Sequence, residues 1–158
     1  MTYFLLNLCL AMAWMLLNGN YSSSHFFIGF IIGFVVLRLA QPFGVHASYF
    51  KRCKALLSLI SYFSYEMVVS VARVTWDVLT PTHLSEPRIV YVPLDVSSDL
   101  EITLLSNMVS LTPGSLCLDI TPDRRFLILH VMFAGKKQTV IDEIKHGLEQ
   151  RILEVTRG

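Results

Sequence analysis

The stretch "SNMVSLTPGSLCLDI", Ser106 to Ile120, decides the soluble part of the fold. Leu104, Leu105, Met108 and Leu111 recur at helical spacing, and Ser98 followed by Glu101 is the capping-box pattern that opens such a helix. Thr112-Pro113-Gly114 stops it, because a residue before proline disfavours helical backbone and glycine accepts positive φ. Ser115 to Thr121 follows as an alternating strand, and "PDRR" turns the chain into a second strand, Phe126 to Phe133. An earlier strand is legible in "RIVYVPLDV", Arg88 to Val96, rich in β-branched and aromatic residues. Lys136 to Val155 closes as a helix with Ile141, Ile144, Leu148 and Ile152 on one face. The order β-α-β-β-α predicts a small α+β domain, a ferredoxin-like sandwich without its final strand. A unit of about 70 residues buries a modest core and leans on a neighbour.

The rest of the chain obeys a different solvent. Of 158 residues 53% are apolar, and the mean hydropathy is +0.54, high for one globular domain. No Asp, Glu, Lys or Arg occurs before Arg38, whereas most of the acids follow Thr80. The expected organisation is a transmembrane helical hairpin (1–40), a basic loop with an amphipathic or third membrane helix (41–80), a linker (81–87) and the α+β domain (88–158). Thirteen Lys/Arg against twelve Asp/Glu leave no field that would recruit nucleic acid. Cys9, Cys53 and Cys117 fall in separate segments with no paired spacing, so they read as small buried hydrophobes and not as a disulfide framework or zinc site. "MTYFLLN" lacks a basic region before the apolar run, which argues against a cleaved signal peptide.

Met1 to Asn18 and Ser22 to Ala40, 18 and 19 residues, approach the ~20 that a helix needs to cross ~30 Å of hydrocarbon. The loop after them carries Arg38, Lys51, Arg52 and Lys54 and no acid, so the positive-inside bias places it, and the C-terminal domain if the chain does not cross again, on the cytoplasmic side. Ala55 to Thr80 is apolar but interrupted. Ser58, Tyr62, Glu66, Ser70, Arg73 and Asp77 form one stripe, with Leu57, Ile60, Val68, Val71 and Val78 on other faces. Such a helix either lies in the interface or spans with its stripe against protein, and the first reading is preferred. Glu66, Arg73 and Asp77 are candidates for an ion path or an interface, although their spacing also permits simple ion pairing on a solvated face. Gly29 and Gly33 in "GFIIG" let another helix approach closely.

Catalytic patterns are missing from the sequence: there is no phosphate-binding glycine loop, H-E-x-x-H or G-x-S-x-G, and no cofactor is expected. Ser110 and Ser115 flank the turn, but His130 lies on an apolar strand without an orienting acid. The segment Val92 to Met132 does, however, resemble the signature region of the E subunits of the Mrp-type (Mnh-type) multisubunit cation/proton antiporters. Val109, Ser110, Leu111, Thr112, Pro113, Gly114, Ser115, Leu116, Asp119 and His130 occupy the places of that signature. The apolar hairpin, "WDVLTP" and "GLEQRILEV" match the family's layout as well.

The resemblance implies a multi-pass accessory subunit in the bacterial inner membrane. Its partners would be the other antiporter subunits and the lipid bilayer, in a complex that exports Na⁺ (or Li⁺, K⁺) in exchange for H⁺. It supplies no catalytic residue. The alternative is a stand-alone membrane-anchored sensor whose α+β domain takes a ligand. That reading expects an independently stable fragment from Glu86 onward, with a pocket.

Overall fold

The computed structural model describes residues 2–40, 48–81 and 85–157; part of the basic loop (41–47) and part of the linker (82–84) lie outside the described residues. The chain divides into two compact units, Met1–Cys53 and Lys54–Gly158. The second begins well before the expected domain at 88, because most of a long helix belongs to it.

In the first unit, α1 (Thr2–Asn18) and α2 (Ser23–Leu39) are apolar over most of their length, with Asn7 inside α1 and Arg38 in the last turn of α2. Gly19, at φ +63°, closes α1, and Ser22 caps α2 by accepting from the His25 amide. The two helices pack directly. A Cβ on Gly29 would meet Ala11 and Trp14, and one on Gly33 would meet Asn7 and Leu10. The next helix, α3 (Ser48–Leu79), starts in this unit, where Tyr49 and Phe50 stack on Phe34. At 17 residues each, α1 and α2 are about 26 Å long, short of the ~30 Å of a bilayer core. Among the described residues one helix, Tyr49–Leu79, is long and apolar enough to cross by length and composition.

In the second unit a three-stranded antiparallel sheet has the order β1-β3-β2, from β1 (Arg88–Pro93), β2 (Ser115–Ile120) and β3 (Phe126–Val131). Helix α4 (Asp99–Leu111) connects β1 to β2. After β3 come α5 (Lys137–Ile144), a π-helical turn (Lys145–Glu149) and α6 (Gln150–Arg157). The core gathers Val90 and Val92, Leu127 and Leu129, Ile102, Leu105 and Val109 of α4, and Val140, Leu148 and Ile152. Three expectations change in detail. The buried side of α4 is Ile102, Leu105 and Val109, while Leu104 and Leu111 are exposed. In β2, Cys117 and Ile120 pack against the core beside Leu129 and Leu127, and Leu116 and Leu118 are exposed; the register shift between Cys117 and Asp119 lets Cys117 and Ile120, three residues apart, share the core side. The last helix is not continuous; the π turn interrupts it.

Two buried carboxylates tie the helices to the segment after β1. Glu101 completes the expected capping box, accepting from the Ser97 and Ser98 amides at 3.1 and 3.2 Å. It also receives the Arg157 guanidinium (2.8 and 3.0 Å) and the Thr156 hydroxyl (2.7 Å), which fasten the end of α6 to the start of α4. Glu149 accepts from the Asp95 and Val96 amides at 2.6 and 3.0 Å, and its other oxygen lies 3.4 Å from Lys145 Nζ. Burial opposes the Lys145 charge, but Asp95, 2.5 Å away, and Glu149 outweigh it and raise the pKa.

The Arg157 fork, the Ser97 amide and the Thr156 hydroxyl hold the Glu101 carboxyl well below the usual carboxylate range in spite of its burial. A depressed folded pKa contributes stability that is complete above the ordinary value of 4.5 and is lost as pH falls below it. Urea unfolding of the full chain in detergent should therefore weaken below about pH 4.5. Glu101→Gln should lower stability at neutral pH and flatten that acid limb; an unchanged acid limb in the variant would assign the pH dependence elsewhere.

Candidate functional site

The signature turn is built by its own residues. Ser115 N–H donates to the Thr112 carbonyl at 3.2 Å across Pro113 and Gly114, and Gly114 has φ +87°. Proline second and a positive-φ glycine third are the marks of a type II turn. The Thr112 hydroxyl donates to the Met108 carbonyl (2.9 Å) and the Ser115 hydroxyl to that of Val109 (2.7 Å), so the turn caps the open carbonyl end of α4. Gly114 also accepts from the Met132 amide at 2.7 Å, which registers β2 against the end of β3. A Cβ on Gly114 would lie 3.4 Å from the Phe133 ring and 3.6 Å from Val74 of α3.

That last contact brings in the polar stripe of α3. Tyr62, Glu66, Ser70 and Arg73 line one cleft together with Thr112, Pro113, Gly114 and Ser115, and Glu143 of α5 closes it from the other side. The cleft has a volume of about 90 Å³, room for roughly three waters. Tyr62, Glu66 and Ser70 of the stripe are thus turned toward the chain's own α+β domain, while Ser58 and Arg73 remain exposed. Leu57, Ile60, Val68, Val71 and Val78 are exposed on the other faces of the helix. The buried side of α3 is therefore mixed: Leu59 and Phe63 join the core beside the polar Glu66 and Ser70, while a second apolar surface is left exposed.

One contact fixes this arrangement. Gly147, in the π turn, lies so close to the Tyr62 ring and hydroxyl that a Cβ there would collide with both. Arg151 sits over the same ring, 4.0 Å from its centroid, and donates to the carbonyls of His146 and Gly147 at 3.1 and 2.8 Å. The π turn breaks the regular helical ladder at this point, and Arg151 binds its carbonyls while stacking on α3.

The remaining candidates are dispersed. Asp77 is buried, with only 3% of its surface exposed, but does not line the cleft. The Ser110 hydroxyl accepts from the Cys117 amide at 3.1 Å, Leu111 is exposed, and Asp119 is exposed at the β2 register shift, accepting from the Ile120 amide. Gly29 and Gly33 meet α1 of the same chain, with Asn7 fully buried beside Gly33. Asn7 Oδ1 has no conventional donor and lies too close to Gly33 to leave room for a Cβ there. Sequence periodicity does not single out Glu149, Gly147 or Arg151. The one signal it holds is a lone glycine inside a helical pattern, which marks a close approach when it is not a cap.

The chain matches known proteins over nearly its whole length. The family model described as "Na+/H+ ion antiporter subunit" matches residues 7–155. The E subunit of the Na(+)/H(+) antiporter of Alkalihalophilus pseudofirmus is 34% identical over 97% of both chains, and that of Bacillus subtilis 33% over the same shares. Among solved structures, a chain of the Mrp complex from Dietzia sp. DQ12-45-1b superposes with a TM-score of 0.51 at 25% identity, covering 63% of this chain and 93% of that one. A chain of an archaeal membrane-bound sulfane sulfur reductase shares the fold over 98% and 97%, with a TM-score of 0.54 at 18% identity.

Two glycine substitutions test the site. Gly114→Ala forces a side chain into left-handed backbone and should cost about 1–2 kcal/mol. Gly147→Ala should push Tyr62 away and cost about 1–3 kcal/mol through overpacking. Thermal unfolding of the full chain in detergent reads both, and a Gly147→Ala variant as stable as the parent would contradict the Tyr62 contact.

Proposed function

The chain belongs to the Na+/H+ ion antiporter subunit family, and on that premise we propose that it is an accessory integral-membrane subunit of a multisubunit Na⁺(Li⁺, K⁺)/H⁺ antiporter. The observation that carries this reading is the end-to-end match, 97% of this chain on 97% of an antiporter's E subunit. Its partners are the other subunits of the complex and the bilayer. The work of transport, proton-motive-force-driven cation efflux, belongs to the complex, and this subunit supports its assembly or the shape of its ion route.

The membrane setting follows from the helices. In our reading α1 and α2 form a hairpin in a bacterial inner membrane, and the basic residues after α2 favour the cytoplasm for the domain. The ferredoxin-like description suits the sheet order β1-β3-β2, which is that of a split β-α-β sandwich without its fourth strand. For α3 the interfacial reading gains a physical argument. A helix covered along one side by a water-soluble domain cannot bury that whole length in hydrocarbon. Its exposed apolar faces are then free for lipid or for neighbouring subunits.

Glu66 and Arg73 line a cleft inside the chain's own unit, which supports a holding role over conduction. The sensor alternative gains nothing from that cleft, which is far smaller than the ~300 Å³ of a small ligand pocket.

Two outcomes are expected. A gentle-detergent pull-down of the C-terminally tagged chain from its native membrane should bring large, very hydrophobic subunits with it; recovery of a folded, monodisperse chain alone would overturn the proposal. Glu66→Gln should reduce the amount of assembled complex more than it reduces Na⁺/H⁺ exchange per assembled complex. The opposite split would place Glu66 on the ion route.

A further inference from the structure

The outer edge of β1 carries backbone groups that the sheet itself does not use. Leu94 N–H donates to the Arg125 carbonyl at 2.8 Å, and the register pairs Val92 with Leu127 and Val90 with Leu129. Antiparallel bonding alternates, so Val90 and Val92 bond to β3 while the amides and carbonyls of Ile89 and Tyr91 point the other way. The other side of β3 agrees, since the Met132 amide donates to Gly114 and so places the alternate residues of β3 against β2. Among the described residues no strand stands beyond β1 in the sheet order β1-β3-β2. The opposite edge is treated differently: the Cys117 amide of β2 is taken by the Ser110 hydroxyl.

The β1 edge is short and has a proline at each end, with Arg88 at its start, but between them its middle is unguarded. It holds no lysine and no inward-pointing charge, and the side chains above it, Ile89 and Tyr91, are 51% and 56% exposed. Pro87 and Pro93 stand two residues to either side of this pair, so the free donors are bracketed by positions that cannot donate. A strand added here has one short stretch to pair with and little freedom to slip in register.

We infer that this edge receives an extended segment of a different subunit, which pairs through the backbone with Ile89 and Tyr91 and fills the place of the missing fourth strand. Hydrocarbon cannot satisfy the amides and carbonyls, and water leaves the Ile89 and Tyr91 side chains uncovered; a peptide strand meets both needs. A second copy of this chain could pair β1 with β1. Two donors per copy and six-residue strands bury too little to hold a dimer alone, against the ~1,200–2,000 Å² of stable interfaces. Inside a hetero-oligomer the same short pairing is one contact among several, and its weakness is no obstacle.

The inference rests on the accessory-subunit reading above, and its test separates the two. In native membranes, p-benzoylphenylalanine in place of Tyr91 is photolysed and the tagged chain isolated with its partners. An adduct to a different subunit is the expected result. Partners that co-isolate without such an adduct, or an adduct to a second copy of this chain, overturn the inference and leave the accessory-subunit reading standing; a chain that isolates alone overturns both. Hydrogen exchange on the unmodified complex reads the backbone directly. The Ile89 and Tyr91 amides should exchange within about tenfold of the Val90 and Val92 amides bonded to β3. Exchange at solvent-like rates at Ile89 and Tyr91 overturns the pairing.

Discussion

Gly147 and Arg151 hold Tyr62 between them, and the rest of the second unit is arranged around that contact. With a side chain at 147 the α3 helix could not come so close. Once Tyr62 is seated, Glu66, Ser70 and Arg73 follow on the same face at helical spacing and meet the Thr112–Ser115 turn. That turn in turn caps α4 and registers β2 against β3.

The consequence is a helix with a mixed buried side. Tyr62, Glu66 and Ser70 of the stripe meet the chain's own domain alongside Leu59 and Phe63, while Leu57, Ile60, Val68, Val71 and Val78 are exposed. A water-soluble protein would carry this at a cost in solubility. In a membrane protein the same arrangement serves both solvents, because the small α+β domain gains the neighbour that its modest core requires. Leu59, Tyr62 and Phe63 of α3 accordingly pack against the same core as Val140 and Leu148.

The elements that local chemistry dictates were legible in the sequence. Ser98 and Glu101 announced the start of α4, Pro113 and Gly114 its end, and the charge-free stretch before Arg38 the paired apolar helices. The stripe on α3 was legible too, since it needs only periodicity. What covers the stripe was not, because a period fixes which residues share a face and says nothing about the partner of that face. Which face of β2 is buried was not legible for a related reason: alternation does not say which side meets the core, and the register shift after Cys117 breaks the alternation so that Cys117 and Ile120 share the core side. Glu149 and Arg157 lie more than fifty residues from the loop and helix start that they bind, a separation at which spacing rules carry no information.

The central claim, that α3 turns Glu66 and Ser70 toward the chain's own domain and Val68 away from it, is tested most directly by cysteine accessibility in native membranes. With Cys9, Cys53 and Cys117 replaced by serine, single cysteines at Ser70 and at Val68 are exposed to a membrane-impermeant maleimide in opened vesicles and to a lipid-soluble one. The account predicts that Cys at 70 reacts with neither until the domain is unfolded, while Cys at 68 reacts with the lipid-soluble reagent or is shielded only in the assembled complex. Rapid labelling at position 70 by the water-soluble reagent, with the domain folded, would contradict it.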